Sequence, residues 1–74
     1  MIVETENSIY EIDTEAQVVV RKPRAEAMRR DGEEVPILAI EELTIGQPLI
    51  MLLAIRWDGV PTVRITSPVI KVEP

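Results

Sequence analysis

An all-β fold is predicted by three features of the sequence: a heavy load of β-branched residues, stretches of alternating apolar and polar residues, and two Asp-Gly pairs between such stretches. Ile and Val supply 19 of the 74 residues and Thr another five. Side chains branched at Cβ are stiff and suit a pleated surface better than a helix. Alternation marks half-buried strands. The pairs Asp31-Gly32 and Asp58-Gly59 supply residues that accept the positive φ of tight turns. The expectation is one domain over residues 1–74, a small barrel or sandwich of six to seven short antiparallel strands.

Residues 8–13 alternate, with Tyr10 and Ile12 on one face and Glu11 and Asp13 on the other. A turn over 13–16 leads to a strand at 17–22, which Pro23 interrupts because proline cannot donate to a ladder. Residues 25–30 have the composition of a helical turn, yet the Asp31-Gly32 turn after them favours a hairpin with 35–42, so a strand is expected there. Gly46-Gln47-Pro48 makes the next turn. Strands at 49–56 and 60–66 follow, joined by a three-residue loop of Trp57, Asp58 and Gly59 with a glycine bulge. That loop sets Leu53 opposite Val63 and Met51 opposite Ile65, whereas a two-residue turn would set Leu53 opposite Arg64 and mix the faces. The strand at 49–56 is apolar on both faces, so it is central or at an interface. Pro68 breaks the chain before a last strand at 69–72.

The chain has neither Cys nor His. Disulfides are excluded and zinc lacks its usual ligands; no metal site or cofactor signature is expected. A core this small needs extra support, and oligomerisation is the support left. The longest apolar run, residues 49–55, is far shorter than the ~20 residues of a spanning helix, and the start of the chain carries acids where a signal peptide carries bases. A secreted domain of this size would usually be stapled by disulfides, so the expectation is a soluble protein of the cytoplasm. The net charge of −5 disfavours general attraction to phosphates. The charge nonetheless alternates in blocks: acidic over 1–20, basic over 21–30, acidic again over 31–42. Such blocks neutralise one another when strands pair.

Few residues could carry chemistry. Ser8 or Ser67 would need Lys22 or Lys71 as a base, and nothing places either lysine in a dry pocket. Glu11 and Asp13 share a strand face, which alternation explains as a solvated face. No catalytic residue is expected, and the protein is read as a non-enzyme. Arg21, Lys22, Arg24, Arg29 and Arg30 could contact phosphates or a partner, since small β-barrels do bind nucleic acids, but neither Tyr10 nor Trp57 lies among them to stack bases. Trp57 is expected to cap the core near Ile55 and Pro61, in a chain without Phe to close it. Leu49, Ile50, Leu52 and Ala54 are the expected oligomer interface, because an apolar proline-free strand at an edge must be covered.

The opening Ser8-Ile9-Tyr10-Glu11-Ile12-Asp13, an Arg-rich middle, Gly46-Gln47-Pro48 and the closing Thr66-Ser67-Pro68-Val69 together resemble small uncharacterised proteins of actinobacteria and their bacteriophages. The resemblance implies a phage-encoded or prophage-derived protein acting in the cytoplasm of a bacterial host, and it implies no activity. The function expected is a binding or interaction module that self-associates and docks a host or phage protein. A nucleic-acid-binding barrel using residues 21–30, or a minor virion component, is the alternative.

Overall fold

The computed structural model describes residues 1–24 and 31–74, which form six strands: β1 (Ile2–Thr5), β2 (Ser8–Asp13), β3 (Val18–Pro23), β4 (Glu34–Glu42), β5 (Pro48–Leu53) and β6 (Thr62–Glu73). Each pairs antiparallel with the next, and β6 returns to β1, so the sheet closes into a barrel. The two long strands make the closure. Residues 34–36 of β4 pair with β3 and residues 37–42 with β5; residues 62–68 of β6 pair with β5 and residues 69–73 with β1. Strands that change partners in this way turn the corners of a small barrel, and bulges supply the bend. Register breaks lie at those corners, in β4 between Ile37 and Ala39, in β5 between Pro48 and Ile50, and in β1 between Glu4 and Thr5, and a further one lies in β4 between Ile40 and Glu42.

The interior is filled from all six strands, by Val3, Tyr10, Ile12, Val19, Val35, Ile37, Leu49, Met51, Leu53 and Val69. Thr5 and Ser8 are buried with them. The Thr5 hydroxyl accepts the Ser8 N–H and donates to the Ser8 carbonyl, both at 3.1 Å, which satisfies the polar atoms of the β1–β2 turn inside the barrel. Among the described residues no helix is long and apolar enough to cross a membrane.

Several expected boundaries move, each for a local reason. β1 was not anticipated: four residues are too short a run to read, and Val3 and Thr5 declare their inward face only once β2 and β6 flank them. The strand expected from residue 17 begins at Val18, because Gln17 takes the left-handed position of the turn at φ 57° while Asp13 Oδ1 accepts the N–H groups of Glu15 and Ala16 at 3.0 Å. The strands expected at 60–66 and 69–72 are one. Pro68 sits where β6 leaves β5 for β1, a position that asks for no ladder donor, and its carbonyl accepts the Glu6 N–H. The strand expected at 25–30 lies outside the described residues.

Candidate functional site

Arg21 and Lys22, the first residues of the basic segment, lie in β3 and so in the barrel wall. Arg21 stands opposite Tyr10, so both side chains turn inward, and its guanidinium donates to Asp31 at 2.7 Å with little of either side chain left exposed. Burial pushes the Arg21 guanidinium down, but hydrogen bonds with Asp31 and Tyr10 outweigh it and leave the group above its ordinary value. The Gly32 N–H, at φ 83°, donates to the Arg21 carbonyl, so side chain and backbone together fasten the Asp31-Gly32 turn to β3. Lys22 meets Glu11 at 3.0 Å across β2 and β3, and Arg24 lies 3.8 Å from Glu4. Each of these three cations therefore faces a carboxylate. Arg29 and Arg30 lie outside the described residues.

The β5–β6 hairpin differs most from expectation. Leu53 faces Thr62, Leu52 faces Val63, Met51 faces Arg64 and Ile50 faces Ile65. This register is one residue away from the expected one, and a one-residue slip moves every side chain of a strand to the other face. Leu49, Met51 and Leu53 point inward and are buried, so Leu49 leaves the expected interface for the core. Ile50 and Leu52 point outward beside Val63 and Ile65, which are 56% and 63% exposed. Ala54, just past the strand, is exposed. The result is an apolar outer face on β5 and β6, with Ala39 of β4 beside Leu52. Val63 and Ile65 were missed as surface residues because only the loop length decides their parity.

The strands part earlier than a three-residue loop would require, with residues 54–61 between them. Arg56 and Asp58 clamp the tip: Arg56 Nε donates to Asp58 Oδ1 at 3.1 Å and Nη2 to Oδ2 at 2.6 Å, while Asp58 Oδ1 also accepts the Val60 N–H. The Gly59 N–H closes the turn on the Arg56 carbonyl. Trp57, inside this clamp, is 98% exposed. The expectation that it caps the core is overturned, because the longer loop carries residue 57 past the barrel and the clamp on either side turns its ring to solvent.

The remaining candidates have structural partners. Glu11 is paired with Lys22 and Asp13 caps the β2–β3 turn. Ser8 is buried against Thr5, Ser67 Oγ accepts the Asn7 N–H, and Lys71 pairs with Glu73 at 2.7 Å, so neither serine is held against a lysine. Among the described residues, no three acidic side chains converge as a metal site would need. Compared with protein-family models, with curated proteins and with solved structures, the chain matches none.

Proposed function

We propose that this protein is a non-catalytic interaction module of the bacterial cytoplasm whose outer β5–β6 face receives a second copy of the same chain. The observation that carries this reading is the row Ile50, Leu52, Val63 and Ile65, apolar side chains set outward on adjacent strands, bordered by Ala39 beside Leu52 and by Glu42 beside Ile50. Exposed apolar side chains gathered on one face mark interaction sites, whereas singly scattered ones do not. A charged partner would be desolvated against such a face. An identical face would not, and a two-fold axis brings the same patch to both sides. The small core argues in the same direction, since chains of this length commonly draw stability from association. The nucleic-acid reading has less support, because Arg21, Lys22 and Arg24 already face Asp31, Glu11 and Glu4.

Sedimentation velocity tests the proposal over a concentration series of the protein and of Ile65→Lys. The wild type is expected to dimerise with rising concentration. The variant should stay monomeric with its urea midpoint nearly unchanged, since Ile65 is outside the core. A wild type that is monomeric throughout overturns the reading and gives the face to a different protein.

A further inference from the structure

Over residues 38–42, one side of β4 has no strand beside it among the described residues. β3 accompanies β4 only to Pro36, the last link is the Ile37 N–H donating to the Gln17 carbonyl at 2.8 Å, and residues 38–42 pair with β5 alone. The β2–β3 turn stands off from that edge and leaves a cleft of about 200 Å³, walled by Ile12 on one side and Ile37, Ala39 and Ile40 on the other. An unpaired strand edge presents backbone donors and acceptors, and an apolar cleft beside it accommodates alternate side chains of a strand laid along it. Those are the two requirements of strand addition.

Charge selects the strand. Asp13 lines the cleft, Glu15 and Glu41 are exposed next to its lining residues in the chain, and neither residues 13–17 nor residues 37–42 contain a cation. The described cations of the nearest basic block, Arg21, Lys22 and Arg24, face Asp31, Glu11 and Glu4 instead. The same edge of a second copy would bring the same acids and no cation to the seam, so like charges would gather there without an opposite partner. We infer that the β4 edge takes an extended segment of another protein in which apolar residues alternate with Lys or Arg, the apolar side chains entering the cleft and the cations meeting its acidic rim. This site is on a different strand edge from the β5–β6 face and does not depend on self-association.

The test titrates isotope-labelled protein with three synthetic peptides and follows backbone amides by NMR: one alternating Val and Lys, one alternating Val and Glu, and the Val-Lys peptide with proline at its central apolar positions. The Val-Lys peptide should shift the amides of Gln17 and of residues 38–42. The proline peptide should bind at least tenfold more weakly, because proline removes ladder donors while keeping the charge. The Val-Glu peptide should leave the spectrum unchanged. In Glu41→Lys, an exposed position whose folding a urea midpoint verifies, Val-Lys affinity should fall several-fold. Equal binding of the proline peptide, shifts centred on the β5–β6 face, or no shifts with Val-Lys would each overturn the inference. Sedimentation reads self-association separately, so the failure of one proposal is distinguishable from the failure of the other.

Discussion

At the scale of single residues, charge placement decides more than charge number. Arg21 and Asp31 are ten positions apart in sequence and nearly buried together, so removing the carboxylate leaves a nearly buried guanidinium with its closest counter-charge gone. Asp31→Ala should cost about 2–3 kcal/mol in urea unfolding, less than the ~3–5 of a fully buried pair because about a tenth of each side chain still meets water. Trp57→Ala, by contrast, should leave the urea midpoint within about 0.5 kcal/mol, and the native protein should show the red-shifted emission of a solvated indole. The loop clamp carries a pH signature. The Asp58 carboxyl is held below its ordinary value, first by Arg56 and then by the Val60 N–H. A depressed carboxylate keeps its interaction at and above the ordinary aspartate range and loses it as pH falls through the lower folded value. An NMR titration should therefore find Asp58 ionised below the usual aspartate range and the clamped Arg56 Nε–H signal fading only there, with no accompanying unfolding, since the pair is at the surface.

At the scale of elements, β5 shows what an apolar strand hides. Its residues are hydrophobic on both faces, yet Met51 is fully buried and Ile65, on the neighbouring strand's outer face, is mostly exposed. Met51→Ala should cost about 2–5 kcal/mol as a core truncation, and Ile65→Ala under about 0.5 kcal/mol in the dilute monomer. The β1–β2 turn depends on a hydroxyl in the same way. Thr5→Val conserves volume but leaves the buried Ser8 N–H without its acceptor, and should destabilise by about 1–3 kcal/mol.

At the scale of the whole molecule, stability depends on closure. β1 and β6 lie at opposite ends of the chain, and their pairing from Ile2 with Glu73 to Thr5 with Val69 joins the barrel. Such long-range pairing must be formed against loop-closure entropy, so folding should take milliseconds to seconds, as stopped-flow refolding would show. Met1 holds β1 from its other side by extending the β1–β2 ladder: its amino group donates to the Ile12 carbonyl at 2.9 Å and its carbonyl accepts the Ile12 N–H at 2.8 Å.

The all-β class, the course of β2 and β4, the start of β5 and the turns after Asp13, at Asp31-Gly32 and at Gly46-Gln47 were legible from the chain alone, because β-branched content, period-two alternation and Asp-Gly or Pro-containing turns are local properties. Asp13 at the β2–β3 turn and Gly32 and Gly59 at positive φ were legible for the same reason. What the tertiary structure alone decided is which way the apolar residues face. Alternation cannot orient a strand that is hydrophobic on both sides, so the inward turn of Leu49 and the outward turn of Val63 and Ile65 waited on a hairpin register set by the loop over residues 54–61. The choice of barrel over sandwich, the pairing of Arg21 with Asp31, and the uncovered edge of β4 were likewise invisible, because each depends on where one strand stops accompanying another, and that follows from closure of the whole sheet.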